Sequence, residues 1–362
     1  MKKLITVLIS LAMLFSFAGC ANNQGQEPAD TVNPDVPSQS ENDGRTSEQG
    51  ENVPATQIDG DISVAKGVKV GISYCEISVP FNVAQAEYLE SAGADYGYEV
   101  TVINADNNVE KQVGDVEDLL GMGIDLLIVY PVNSQACDTI FELANKSKVD
   151  LVILNTEVPG YEPGEDYLFL ATGDCYDQGY AAGEWAANNF AGDEPMKVLH
   201  LTGSMSQQWA IDRGDGFLKA LEDNSDNYEI VSTQCPECSR VTAQQMTVNV
   251  LQSTNGGVNV IYTHNDEMAM GAIAGVKEFG LEPGKDVMII GIDLSMEMCE
   301  AILDGELSAC VVIDPYTIPD GIYREYTKYL RGEDYETVVG MELRVVDATN
   351  AQEEYDSGNI LF

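Results

Sequence analysis

Basic side chains are scarce in this chain: 18 Lys and Arg stand against 60 Asp and Glu, a formal net charge of −42. A surface of that sign repels phosphate backbones, so nucleic acid is excluded as a partner; it favours solubility and says nothing about fold. Only two histidines, His200 and His264, and two tryptophans, Trp185 and Trp209, occur in 362 residues. The short signatures of common catalytic and cofactor sites (GxSxG, HExxH, the P-loop, GxGxxG) are missing, and so is a DxDxDG calcium loop. Beyond the first twenty residues no run reaches the roughly 18 apolar residues of a membrane span.

What is present begins with a leader. Lys2 and Lys3 precede an apolar stretch from Leu4 to Phe17 that closes on Ala18-Gly19-Cys20, the pattern of a secretory signal peptide. Small residues just before a cysteine resemble a bacterial lipobox, which implies cleavage before Cys20 and lipidation of that residue. Residues 21–66 hold no aromatic residue and are dense in Asn, Gln, Glu, Asp, Ser and Pro. Such a segment buries too little apolar area to offset chain entropy, so it reads as a tether. Seven cysteines remain in the body, an odd number, mostly in apolar stretches where Cys acts as a small core side chain. Cys235-Pro236-Glu237-Cys238 is the exception. A lone CxxC without a second pair reads as a loop disulfide or two free thiols rather than a zinc or redox site.

From Val68 onward short apolar runs alternate with amphipathic stretches. Strands are expected at 68–72, 99–103, 125–130, 151–154, 197–201, 229–233, 258–262, 287–292 and 309–313. Between them lie helical spacings such as 109–120, where Val109, Val113, Val116 and Leu120 share a face. This alternation predicts an α/β protein with parallel sheets covered on both sides. One large sheet, a barrel and two sheets all fit nine strands, but the stretch 161–177 (YEPGEDYLFLATGDCYD) adds an apolar run with no helix before it. That interruption argues for a crossing between two lobes.

One junction poses a question of its own. In "YTHNDEMAMGA" (262–272) an apolar run ends in His264, Asn265 and Asp266 before a helix opens at Glu267. Asp266 is well placed as the helix N-cap. Polar residues at the C-terminal end of a buried strand stand where open α/β sheets place their ligands.

Residues 67 to about 345 resemble the type I periplasmic sugar-binding proteins of the ribose- and galactose-binding kind, the receptor subunits of ABC importers. The resemblance is carried by "NADNNVEKQVGDVEDLLGMGIDLLIVYPVN" (104–133), "LNTE" (154–157), "AIDRGDGFLKAL" (210–221), "THNDEMAMGAIAGVKEFG" (263–280) and "IIGIDLSMEMCEAILDGELSACVV" (289–312). It implies two doubly wound lobes joined by hinge crossovers: a leader at 1–20, a tether at 21–66, a first lobe of 67–172 plus about 314–344, and a second of 173–313 plus about 345–362. It also implies a set of cleft residues. Asn155 and Phe81 come from the first lobe, the latter as an aromatic cover for a sugar face. Arg213, Asn265 and Asp293 come from the second, with a forked guanidinium, an amide and a carboxylate that each bond paired hydroxyls. Trp209, just before Arg213, is a candidate stacking wall; Trp185 reads as packing and His264 as support for its neighbours. The resemblance breaks at Asn82, Thr156, Cys238 and Ile313, where the family often carries an aromatic, a basic residue, an aromatic and an amide. Glu76, Glu157, Gln207 and Asp314 stand as replacement acceptors, suited to a ligand rich in hydroxyls or bearing an amine.

The expected function is a lipid-anchored receptor outside the cytoplasmic membrane that closes on a small carbohydrate and delivers it to a membrane permease, with no cofactor or metal. Two alternatives stay open at this stage: glycoside hydrolysis by Glu76 or Glu157 opposite Asp293, and a sensor that presents its loaded lobes to a signalling partner. A sugar-responsive repressor would need a DNA-reading helix-turn-helix where this chain has its leader and acidic tether.

Overall fold

The computed structural model describes residues 58, 60–191, 194–358 and 362. The leader, Cys20 and most of the expected tether lie outside the described residues. The elements run β1 (Lys69–Tyr74), α1 (Pro80–Tyr96), β2 (Glu99–Asn104), α2 (Val109–Gly121), β3 (Leu126–Val129), α3 (Asp138–Ser147), β4 (Asp150–Leu154), β5 (Phe169–Ala171), α4 (Cys175–Asn189), β6 (Met196–Leu201) and α5 (Gln208–Asn224). They continue with β7 (Tyr228–Gln234), α6 (Arg240–Ser253), β8 (Val260–Thr263), α7 (Asp266–Phe279), β9 (Met288–Asp293), α8 (Met296–Leu303), β10 (Ala309–Val312), α9 (Thr317–Leu330), β11 (Val338–Val339), β12 (Arg344–Asp347) and α10 (Ala351–Ser357).

These strands form two six-stranded sheets, ordered β11-β5-β4-β3-β1-β2 and β12-β10-β9-β8-β6-β7. Each sheet has apolar clusters on both faces, which is why strands such as β3 (LLIV) are buried at every position. The chain passes between lobes three times, after β5, after β10 and after β11. The interruption at 161–177 is thus a short strand, β5, paired between β11 and β4 and followed by a crossing.

Every pairing is parallel except one: β12 runs antiparallel to β10. The exception follows from the third crossing. A chain leaving one lobe along β11 and entering the other directly, with no helix to turn it round, must run against the strands it joins.

Two local expectations are corrected. Helix α2 buries Gln112, Asp115, Val116 and Leu119, while Val109 is exposed. Its inner face is therefore rotated from the all-apolar one, because Gln112 is needed inside: its amide donates to Tyr130 O (2.9 Å) and accepts from Val132 N (2.8 Å), bracing the loop after β3. At the other boundary, Ile62 and Ala65 pack against the first-lobe core and Arg331 Nη1 donates to Asp61 O at 3.1 Å, so ordered packing starts before residue 67. No helix among the described residues is long and apolar enough to cross a membrane.

Candidate functional site

The C-terminal ends of both parallel sheets open on one cavity of about 690 Å³. Phe81, Asn155, Trp209, Arg213, Asn265 and Asp293 all line it, as do Glu76 and Gln207. Glu157 and Asp314 do not. Glu157 faces a smaller pocket of about 190 Å³ with Asp174 and Asp212; burial and these neighbouring charges raise its carboxyl above its usual range. Asp314 is spent on the second crossing, where it accepts from Tyr316 N (2.8 Å) and Thr317 Oγ1 (2.6 Å). The pairing of Glu157 with Asp293 required by one hydrolytic reading is therefore not assembled.

In the first lobe, an amide network that sequence reasoning missed holds Asn155. Its side chain and that of Gln85 bond reciprocally (2.5 and 3.2 Å), and Tyr74 Oη donates to Gln85 Oε1 at 2.8 Å. One face of the Asn155 amide is thus consumed in fixing its orientation, and the other faces the cavity. Asn82, buried at the foot of α1, donates to Glu76 Oε1 at 3.0 Å, and the Ser78 hydroxyl donates to the second Glu76 oxygen. Glu76 is therefore an oriented acceptor with no ion-pair partner among the described residues. Phe81 meets Phe362 edge-on, with ring centroids 5.7 Å apart, so an aromatic pair joins the lobes at that rim.

In the second lobe, α4 and α5 approach backbone to backbone: a Cβ on Gly179 would lie 2.0 Å from Arg213 O, and one on Gly216 equally close to Tyr176 O. This close packing sets Arg213 on the wall, where Nε donates to Gln178 Oε1 (2.9 Å) and Nη1 to His264 O (2.5 Å). Its guanidinium carbon sits 4.9 Å over the Trp209 ring. One face of that indole is thereby occupied by the protein itself, which counts against a simple stacking platform. Trp209 Nε1 and Gln207 Oε1 are buried with no hydrogen-bond partner among the described residues.

The strand-end triad also resolves. Asn265, not Asp266, is the N-cap of α7, with its Oδ1 accepting from Met268 N at 3.0 Å; its Nδ2 is left for the cavity. Asp266 starts the helix and donates its N–H to Asp293 Oδ2 at 3.4 Å. Burial raises both carboxyls; Asp293's charge pushes Asp266 further up, and Arg213 pulls Asp293 part of the way back. His264 supports rather than lines the cavity: its Nε2 lies 2.7 Å from His200 Nε2, and its Nδ1 accepts from Gly203 N. That backbone donor fixes the tautomers, with the shared proton on His264 Nε2 and His200 protonated on Nδ1. Cys235 and Cys238 are unbridged, and Cys238 lines the cavity.

Non-glycine residues with positive φ gather here: Asn155 (61°), Asp293 (104°), Glu237 (52°), Cys238 (55°), Asp106 (52°) and Asn107 (55°). Such backbone strain concentrates where function requires a fixed side-chain direction. Among the described residues no group of three or more His, Cys, Asp or Glu is arranged to hold a metal ion.

Comparison with known proteins agrees with this architecture. The periplasmic binding protein domain model matches residues 70–334. The galactofuranose-binding protein YtfQ of Escherichia coli K12 is 26% identical over 256 residues, 70% of this chain and 80% of that protein. The ribose import binding protein RbsB of Haemophilus influenzae is 27% identical over 277 residues, 76% of this chain and 90% of its own length. Among solved structures, the periplasmic binding component of the arabinose ABC transporter from Shewanella sp. ANA-3, bound to L-arabinofuranose, superposes with a TM-score of 0.75 at 25% identity, covering 80% of this chain and 95% of that one. The two-lobed fold, the cleft between the sheets and the match over most of the body lead to one conclusion: this chain belongs to the periplasmic binding protein family, and its business is to bind a solute outside the cytoplasm rather than to turn one over.

Proposed function

We propose that the protein is the receptor of an ABC importer for a small, hydroxyl-rich carbohydrate, anchored through a lipid on Cys20 and held off the membrane by the segment between Cys20 and about residue 60. The observation that carries this reading is the convergence of six side chains of complementary chemistry, from both lobes, on one cavity. Asn155 offers its free amide face, Asn265 its Nδ2, Asp293 a charged acceptor and Arg213 the rest of its fork, while Phe81 supplies an apolar wall. A hydroxyl both donates and accepts, so it is a suitable partner for an orphaned acceptor such as Gln207 Oε1 or an orphaned donor such as Trp209 Nε1. Burial makes the selection steep, because an analogue lacking one hydroxyl leaves a protein group unpaired. Glu76, an acceptor without a cation, extends the fit to aminated sugars.

The mechanism is a population shift. A solute that touches both lobes gains its full set of contacts only when they are shut, and that difference in affinity closes the hinge. The closed receptor then presents both lobes to the permease. Relatives named for binding galactofuranose, ribose and arabinofuranose support a compact sugar.

The test is a thermal-shift screen of the mature protein against pentoses, hexoses in both ring forms, cyclitols and amino sugars. At a hundredfold excess over Kd, a true ligand stabilises by about 2.7 kcal/mol and raises the melting temperature. Flat curves across that panel, with a shift from amino acids or purines instead, would contradict the reading.

A further inference from the structure

Helix α5, which carries Trp209 and Arg213, starts without a cap of its own. Its N-cap residue Gln207 makes no side-chain bond to the helix, so the first-turn amides need partners from elsewhere. They find them across the cleft. Gln208 N donates to Ser134 Oγ at 2.7 Å, and Trp209 N donates to Thr156 Oγ1 at 3.2 Å. Ser134 follows β3 and Thr156 follows β4, both in the first lobe, whereas α5 packs in the second. Both hydroxyl residues are fully buried, and neither lines the cavity.

The surrounding contacts fix the same register. Gln207 Nε2 donates to Pro131 O and Val132 O (2.8 and 2.7 Å), and Ser134 N donates to Ser206 O at 3.1 Å. The loop that bears Ser134 is itself braced from within its lobe by Gln112. This rigid hydroxyl is therefore pre-positioned to meet α5 when the hinge shuts.

We propose that Ser134 and Thr156 are positioning residues for solute capture: they cap α5 in trans only in the closed form, and so set the affinity of the cleft without touching the solute. The inference rests on the cleft reading above. When the lobes part, water takes over the two amides and the caps contribute nothing. When they close, each cap adds what a side-chain N-cap adds to a helix, corresponding to about twofold to thirtyfold in affinity. Because the same caps hold the turn that presents Trp209, they also couple closure to the orientation of the solute-facing wall.

The experiment uses the mature chain and whichever sugar gives the largest thermal shift, and follows affinity by calorimetry and dissociation by stopped flow. Ser134→Ala and Thr156→Val should each weaken binding at least about twofold, and together at least about fivefold, mainly through faster dissociation. Thr156→Ser, which keeps the hydroxyl, should restore the wild-type rate, and melting of the solute-free double variant should match wild type because the open form never had the caps. A double variant that dissociates within twofold of wild type overturns the inference and leaves the receptor reading intact. So does one whose solute-free melting temperature falls while its dissociation rate holds, since that marks a merely structural role. Absence of any response from wild type across the panel defeats the receptor reading, and this inference falls with it.

Discussion

Asp293→Asn should weaken binding and yet stabilise the empty protein. The carboxylate is buried, with 5% of its surface exposed, beside a second buried carboxyl at Asp266. Burial pushes Asp293 up to about 6 even though Arg213 pulls in the other direction. A carboxyl whose folded pKa is raised contributes stability that is fully present below its unfolded value near 4 and lost as pH rises through about 6. At pH 8 the wild type has therefore given up something on the order of 1–3 kcal/mol to keep this group ionised. Asparagine has nearly the same shape, tolerates positive φ and carries no charge, so that loss disappears. The variant should be more stable than wild type at pH 8 by that amount, with the advantage shrinking towards pH 4. Binding moves the other way, since replacing a charged acceptor forfeits roughly 1.5–3 kcal/mol, or about 10- to 150-fold in Kd. Urea unfolding at pH 8, 6 and 4 beside calorimetric titration reads both effects. A variant that is less stable at pH 8, or that binds as tightly as wild type, would refute the reasoning.

Two further outcomes follow from the same network. Burial holds His200 down to about 4 and His264 well below its usual range, so the pair is stable while neutral, and that stability drains away as pH falls from about 6.5 towards 4. His200→Phe should cost stability at pH 7, because it orphans the His264 N–H, but flatten the decline in acid; an unchanged slope in urea melts would clear the pair of any role there. Gln85→Leu strips Asn155 of its amide partner and Tyr74 of the nearer of its two acceptors, leaving only Asn82 Oδ1 at 3.3 Å, all at a fully buried position. A loss of about 1–3 kcal/mol in stability is expected, with affinity falling about five- to thirtyfold as Asn155 loses its orientation; intact affinity by calorimetry would show that Asn155 needs no such brace.

The strands were legible because each is buried on both faces and writes itself as an apolar run, and the crossing at 161–177 was legible as a break in that rhythm. Helix faces were less so: α2 looked all-apolar at 109, 113, 116 and 120, yet turns Gln112 inward because a loop from elsewhere in the fold needs its amide. The same limit hid Gln85, whose partners Tyr74 and Asn155 lie on other elements, and Thr156, whose hydroxyl reaches a helix of the opposite lobe. At 264–266 local capping preferences favour Asn and Asp almost equally, so sequence alone could not assign the cap to Asn265. Glu157 and Asp314 carry the right chemistry but sit on loops, the first between β4 and β5 and the second on a crossing, that turn them out of the main cavity. What remained readable was the residue type at the strand ends and early in the helices: Asn155, Asn265 and Asp293 from the former and Phe81, Trp209 and Arg213 from the latter do meet in one cavity.

The central claim is that both lobes hold one solute between them. Calorimetric titration of the best-shifting sugar into wild type, Asn155→Ala from the first lobe and Arg213→Met from the second tests it most directly. The account expects one site per chain and an affinity loss of about tenfold or more from either variant. If the variants of one lobe bind as wild type does while those of the other abolish binding, the solute sits on a single lobe and the account is wrong.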